Sequence, residues 1–423
     1  MQGKLNIHLK DPLLEKFHFN LHGTFQINKL KINGLTAEYI HKKNNPQSVY
    51  PCTKQTTVRL PEKSKAKPVR MEIEYHGKLE NIPEFGSYKD QKWALDDQIN
   101  SRMIELANYS CWYPLFTFGN RFDINLELSL PISWKCVCSG EKTKRWKEGQ
   151  RVFSCWSSVK DTDIVIVASP QLKLESYRVD DVNIHVYHTQ LPESFIAKDI
   201  KQIQQTANLF TSLLGKTVLP GGTVKHVFSP KQKGQGGAGI ARPGMIVTSE
   251  GLTLKSLKKD PDYSLFHGIA HEIAHFWWSF GAGQGDWINE TFAEYFSSVA
   301  EQRIISEEIF QNNLNKYRSL TNSLPENAPP LSIVPFEGGR VNYIVRYYKG
   351  SLMLDCFRQQ IGDSAFFKIC RDFYQTFHED LIGTPEFRAF WEMKLGKKKV
   401  ILNKWLDSDG GVPITIGNRL MLL

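Results

Sequence analysis

Three side chains past the middle of the chain have the types and spacing to hold a metal ion and use it. They are His271, Glu272 and His275, in the run His-Glu-Ile-Ala-His. Residues four apart lie one turn along the same face of an α-helix, so both imidazoles can reach one ion. Glu272, beside the first imidazole, can reach a water on that ion. Two histidine ligands with a carboxylate base is the zinc-hydrolase pattern. On its own the run also fits a buried amphipathic helix that happens to carry histidines. The element carrying it reads as a helix capped by Asp260, with Pro261 in its first turn, and stopped at Gly281 after Phe280.

A tetrahedral catalytic zinc needs a third protein ligand and one open position. The next segment, Trp287 to Tyr295, reads W-I-N-E-T-F-A-E-Y and carries two acids one helical turn apart. Fourteen residues separate His275 from Glu290, and eighteen separate it from Glu294. The segment resembles the W-L-N-E-G-F-A-x-Y stretch of the aminopeptidase N and leukotriene hydrolase family, the gluzincin zinc peptidases. That resemblance makes Glu290 the third ligand, because the Trp, Asn, Phe, Ala and Tyr neighbours align only that way. The family's usual spacing from the second histidine would select Glu294 instead. We take Glu290 as the ligand and expect Glu294 to orient a ligand imidazole, with Glu294 as the alternative ligand. The loop between the two segments is then shorter than the family's.

Two further stretches extend the resemblance. Tyr347-Tyr348-Lys349-Gly350 is similar to the family's Y-x-K-G, whose first tyrosine stabilises the tetrahedral intermediate. That role falls on Tyr347. Gly239-Ile240-Ala241-Arg242-Pro243-Gly244 is similar to G-M-E-N-P-G, where the glutamate binds the free amino group of an aminopeptidase substrate. Here Ala241 stands at the glutamate position and Arg242 beside it. A carboxylate that would pair with an ammonium is missing and a cation is next to the gap. A neutral or anionic group is therefore expected at a substrate site formed by Gly239, Ala241 and Arg242.

The resemblance implies a multidomain fold: an N-terminal antiparallel β-sandwich domain, residues 1–172, then a thermolysin-like α+β zinc peptidase domain, residues 173–423. It also implies a short form without the C-terminal helical domain of long members. The expected activity is a zinc-dependent metallopeptidase with one Zn2+ per chain, hydrolysing peptide bonds through a metal-activated water. It need not be a strict aminopeptidase. Two alternatives stay open: a non-peptide hydrolase on the same scaffold, and a zinc-bearing binding module without turnover.

Composition agrees with two packed domains. The chain has 423 residues, 41% of them hydrophobic. Lys and Arg number 53 against 44 Asp and Glu, an excess of nine. The basic clusters at Lys63 to Arg70, Lys142 to Arg145, Lys255 to Lys259 and Lys397 to Lys399 lack interleaved aromatics or a nucleic-acid motif, so no nucleic-acid partner is expected. A peptide or small anionic substrate is. Seven scattered cysteines show no paired framework, which suits a reducing compartment. No apolar run reaches membrane-spanning length. A cytoplasmic protein, or a soluble domain of a longer membrane-attached one, is expected; the subunit count is not legible.

Elements follow from periodicity. Alternation at Met71, Ile73 and Tyr75, at Phe122 to Leu130 and at Ile164 to Ala168 marks strands in the first domain. Charged stretches near Lys63 and Lys142 read as hairpin loops, and Asp96 to Asn108 as a short helix. Val182 to Val186 reads as the strand opening the second domain. Helices are expected over 192–214, from Ser306 to Leu320, from Val341 to Ile361, from Ser364 to Phe377 and from Thr384 to Leu395. Strands are expected at Val224 to Phe228 and Met245 to Thr248. His267, Trp277 and Trp278 read as packed residues around the metal helix.

Overall fold

The computed structural model describes residues 2–9, 15–43, 53–62, 69–79, 84–88, 91–94, 97–116, 121–179, 182–217, 219, 222–231, 239–336 and 339–413. The chain forms two compact units. One comprises Met1–Phe85, Lys92–Leu172 and Pro230–Gly237; the other comprises Gly86–Gln91, Lys173–Ser229 and Ala238–Leu423.

The first unit is built of antiparallel sheets. Gln2–Leu9, Val69–His76, Gln26–Ile32 and Leu35–Thr36 pair in that order, and Lys16–His22, Thr53–Arg59 and Tyr39–Lys43 form a three-stranded sheet. Met71, Ile73 and Tyr75 are buried while Glu72 and Glu74 between them are not, as the period of two requires. Two expectations fail here. The helix expected over Asp96 to Asn108 is not seen in its described residues, where Gln98–Ile99 pairs antiparallel with Ile104–Leu106 and only a 3-10 turn begins at Asn108. The Asn100 side chain accepts from the backbone N–H of Arg102 and Met103, at 2.9 and 3.0 Å, and this turn reverses the chain. Lys142, Lys144 and Arg145 lie on a strand, Glu141–Glu148, at the edge of a three-stranded sheet. Charge on an edge strand discourages pairing with other chains. The Lys63 stretch lies outside the described residues.

The sheet of the second unit has the strand Lys173–Val179 ahead of the one expected at Val182 to Val186. It runs Lys173–Val179, Val182–His188, Thr223–Ser229, Met245–Ser249, Gly239–Arg242. The middle three strands are parallel, and Gly239–Arg242 is an antiparallel strand at the sheet's edge. Helix α1 (Glu193–Leu214) makes the crossover between Val182–His188 and Thr223–Ser229.

Helix α2 (Glu250–Lys259) was not anticipated. Ser249 caps it by accepting from Leu252 N–H, and Lys258 and Lys259 sit in its last turn, where the helix dipole favours cations. Asp260 therefore ends α2 and does not begin the helix that carries His271 and His275. Its carboxylate accepts from Asp262 N–H at 2.9 Å in a local turn. Helix α3 (Phe266–Ala274) starts later and stops sooner than the apolar pattern suggests.

Helix α4 (Asp286–Ile304) runs through the core of the unit, with Trp287, Ile288, Phe292, Tyr295, Phe296 and Val299 all buried. Trp278 packs on Phe292 with ring centroids 4.3 Å apart, and Phe292 packs on Phe373 at 5.7 Å. Helix α5 (Glu307–Asn322) is capped by Ser306 as expected. Helices α6 (Gly339–Ile344) and α7 (Gly350–Ile361) are joined by a π-helical turn, Val345–Lys349. Helices α8 (Asp363–Phe377), α9 (Thr384–Leu395) and α10 (Lys399–Asp407) complete the unit.

The π turn explains Tyr347-Tyr348-Lys349-Gly350 residue by residue. A widened turn disturbs the backbone ladder. The Arg346 carbonyl accepts from Thr291 Oγ on α4 at 2.6 Å, and the Tyr347 carbonyl accepts from Ser351 Oγ at 2.6 Å. Lys349, fully buried, donates to the carbonyls of Ser408 and Gly410 at 2.6 and 2.9 Å. Tyr348 stacks on Tyr317 at 4.7 Å. Gly350 lies against α4, where an added Cβ would stand 1.8 Å from Thr291 Oγ. Gly350→Ala should therefore destabilise the protein by roughly 1–3 kcal/mol through overpacking. Urea denaturation should show partial recovery in the Thr291→Gly/Gly350→Ala double variant.

Candidate metal centre

The two histidines leave α3 at different points. His271 lies within the helix and His275 is its C-cap. After His275 the chain tightens, with the N–H groups of Trp277 and Trp278 both donating to the Ala274 carbonyl. Because the helix stops, the Trp278 carbonyl accepts from His275 Nδ1 at 3.0 Å. A carbonyl can only accept, so the proton sits on Nδ1 and the lone pair of neutral His275 is on Nε2. His271 Nδ1 faces Glu294 Oε2 at 3.1 Å, which directs its Nε2 lone pair the same way.

Both lone pairs point at one carboxylate oxygen. Glu290 Oε2 lies 3.4 Å from His271 Nε2 and 3.6 Å from His275 Nε2. It is buried and makes no hydrogen bond of ordinary geometry. The donor atoms of His271, His275 and Glu290 all lie within 4.8 Å of one another. A buried, unsatisfied carboxylate oxygen facing two imidazole nitrogens costs free energy unless a cation joins them. Two nitrogens and one oxygen suit zinc. This donor set fits the metal that the motif implies.

The loop joining α3 to α4 carries Glu290 to that point. Asn289 holds Gly281 from both sides, accepting from its N–H at 2.8 Å and donating to its carbonyl at 2.9 Å. An added Cβ on Gly281 would lie 2.3 Å from the Gly285 carbonyl, so the close approach needs glycine. Trp287 packs on Phe387 and donates to Thr384 Oγ at 3.0 Å. The Trp-x-Asn-Glu run thus closes a short loop and places the glutamate.

Glu294, one turn on, sits behind His271. It also accepts from Tyr317 at 2.7 Å and meets His267 Nε2 at 3.4 Å. His267 bonds Glu301 through Nδ1 at 2.8 Å. Glu294 is buried, which disfavours its charge, yet bonds to His267 and His271 outweigh this and hold its pKa well below the usual carboxylate range. His267 is likewise opposed by burial but pushed up to about 9 by Glu294 and Glu301.

Tyr347 stacks flat on His271 with ring centroids 5.7 Å apart, and Tyr343 stacks on Tyr347 at 4.1 Å. Burial first, then the Glu290 carboxylate, pushes the Tyr347 phenol well above its ordinary pKa, so it stays a neutral donor. Glu272 faces the sheet edge: an added Cβ on Gly239 would lie 2.9 Å from Glu272 Oε1. Strand alternation puts Ala241 on the face of Gly239 and sends Arg242 to the other. The Arg242 guanidinium donates to the Ala241 carbonyl at 2.7 Å. Sequence reasoning passed over Asp286 and Arg346. Arg346 is buried, pairs with Asp286 and lies 3.7 Å from Glu290 Oε1. A buried arginine one residue before Tyr347 is invisible to periodicity, because the π turn shifts its face.

No family model matches the chain. Among curated proteins it is similar to human aminopeptidase O, 25% identical over 180 residues, which covers 34% of this chain and 22% of that protein. The chain thus spans well under two thirds of that relative's length. Among solved structures it is similar to an M1 zinc metallopeptidase from Deinococcus radiodurans, with a TM-score of 0.70 at 14% identity over 98% of this chain and 92% of that one. A mutant of that metallopeptidase has been solved bound to a Tyr-Ser-Ala substrate. Native yeast LTA4 hydrolase gives a TM-score of 0.72 at 15% identity, over 98% of this chain and 66% of that one. The fold is therefore the one shared by M1 zinc metallopeptidases and LTA4 hydrolase. The resemblance to the aminopeptidase N and leukotriene hydrolase family, read from the motifs, is borne out.

Burial opposes charge on His271 and His275, but carboxylates outweigh it and raise both imidazoles above their usual pKa, Glu290 and Glu294 for His271 and chiefly Glu290 for His275. A metal needs the lone pairs, so at pH 7 zinc uptake should release roughly one to two protons per ion, and affinity should weaken as the pH is lowered. Calorimetry in buffers of different ionisation enthalpy measures this. Glu290→Ala should abolish zinc retention, whereas Glu294→Ala should weaken affinity by roughly 10–100-fold, both read by metal analysis.

Proposed function

We propose that this protein is a zinc metallopeptidase that hydrolyses peptide bonds with His271, His275 and Glu290 as metal ligands, one ion per chain. The observation that carries the reading is the convergence of two imidazole Nε2 atoms on an otherwise unsatisfied Glu290 Oε2, with Glu272 on the same helix facing the sheet edge. Zinc, when bound, supplies a Lewis acid that polarises a carbonyl and lowers the pKa of the water it holds. Glu272 takes a proton from the attacking water at its carboxylate and returns it to the leaving amine. Tyr347 donates its phenol proton in a hydrogen bond to the developing oxyanion. The edge strand Gly239–Arg242 offers main-chain groups to which an extended peptide can add. Glu294 holds His271 in the tautomer that leaves Nε2 free.

Specificity departs from an aminopeptidase. The methyl group of Ala241 shares the face of Gly239 and gives a substrate ammonium no partner. We infer cleavage that tolerates blocked amino termini. Ala241 also supports a second reading, hydrolysis of a non-peptide substrate at the same centre. The six described cysteines are free, in keeping with a cytoplasmic, reducing location, and no helix among the described residues is long and apolar enough to cross a membrane.

Glu272→Gln should keep its zinc and lose nearly all turnover; full activity in this variant would sink the mechanism. Tyr347→Phe should lower kcat by roughly 10²–10³-fold with zinc retained. Cleavage profiling on a mixed peptide library, with free and acetylated termini compared, should show both cut. A strict need for a free terminus would overturn the reading of Ala241. In the same library Arg242→Ala should change the preference for acidic over neutral peptides; an unchanged preference would show that this guanidinium does not read substrate charge.

A further inference from the structure

Glu290 has two oxygens and they meet different surroundings. Oε2 faces the imidazoles, while Oε1 lies 3.7 Å from the Arg346 guanidinium. Two of the three guanidinium nitrogens are held, while the buried Nε makes no hydrogen bond. Nη2 pairs with Asp286, Nη1 donates to the Phe336 carbonyl at 3.0 Å, and the guanidinium plane lies over the Phe336 ring at 4.8 Å. Only 8% of the side chain is exposed. Asp286 sits one turn before Glu290 on the same helix, so the guanidinium bridges two carboxylates on one face of α4.

We propose that Arg346, anchored by Asp286, is a positioning residue that holds Glu290 by Oε1 and so limits it to one-oxygen ligation. The inference rests on the metal reading of His271, His275 and Glu290. A carboxylate can grip a metal through one oxygen or two. A two-oxygen grip would fill the position that a catalytic site must keep open. A guanidinium within ion-pair distance of Oε1 opposes it by drawing that oxygen towards its own charge. Placing a fixed cation close to a divalent ion is costly, and Asp286 offsets that repulsion. Stability alone does not account for the arrangement, because a buried ion pair is often no more stable than apolar residues of similar size. The guanidinium also lies 5.8 Å from the Tyr347 ring, so one side chain braces a ligand and the oxyanion donor.

The test uses the full chain, loaded with zinc for affinity and with cobalt(II) for visible absorption, whose intensity falls as coordination number rises. The Asp286→Asn/Arg346→Met double variant removes both charges and leaves neither unpaired. Its zinc affinity should fall by roughly 10–100-fold, and its cobalt absorption should weaken as Glu290 becomes bidentate. Arg346→Lys, which keeps the charge, should recover part of the affinity and the wild-type spectrum. Asp286→Asn, nearly isosteric, gives the reading should the double variant not fold, and should move both signals in the same direction. Wild-type affinity and spectrum in the double variant, or in Asp286→Asn if only that folds, would overturn the proposal. Glu290→Ala separates the two readings. If it binds zinc like the wild type, the metal assignment falls and this inference with it. If it loses zinc while the Arg346 and Asp286 variants are unchanged, only this inference falls.

Discussion

Bringing three electron-rich atoms to one buried point is unfavourable unless something positive joins them. His271 Nε2, His275 Nε2 and Glu290 Oε2 are held at such a point, and much of the second unit consists of what holds them. Each imidazole is locked by its other nitrogen, one on a carboxylate and one on a carbonyl. Neither ring can turn away without breaking that bond. The cost of assembling the site is thus met by the fold, which holds the Glu290 carboxylate and the two lone pairs at one point.

The support is layered. Behind His271 a polar cluster of Glu294, Tyr317, His267 and Glu301 runs from the interior out to the partly exposed His267, and each member has a partner. Such a network rigidifies only when fully satisfied. Outside it stands an aromatic wall, Trp278, Phe292, Phe296 and Phe373, with ring contacts that fix the axis of α4. Trp287 and Asn289 work at the other end, one anchored to α9 and the other closing the loop at Gly281. The position of Glu290 is the sum of these constraints and not a property of its own neighbours in sequence.

The open side of the site is more economical. The π turn presents Tyr347 and Arg346 from one short segment, with Thr291, the residue after Glu290, bonded to its backbone. Helix α4 and the turn that carries Tyr347 are therefore in direct register. Across from them, Gly239 leaves room for Glu272, and its neighbour on the same face is a methyl group.

What could be read from the chain alone was local. The spacing of His271, Glu272 and His275 is decided by the 3.6-residue turn, and the alternation of Met71, Ile73 and Tyr75 by the two-residue pleat. Ser306 announced α5, because a cap acts on its next few residues. Local rules also misled. Asp260 and Pro261 look like a helix start, but α2 had already claimed that aspartate as its end. Glu290 and Glu294 could not be separated by counting, since the answer depends on how far the loop closed by Asn289 and Gly281 carries α4 past α3. Arg346 and Asp286 carried no signal, for they are sixty residues apart and meet only when α4 packs against a widened turn. Helix and strand periods act between near neighbours and are written in the order of residues; the meeting of a carboxylate, two imidazoles and a guanidinium is set by how packed helices cross, and only the folded chain decides that.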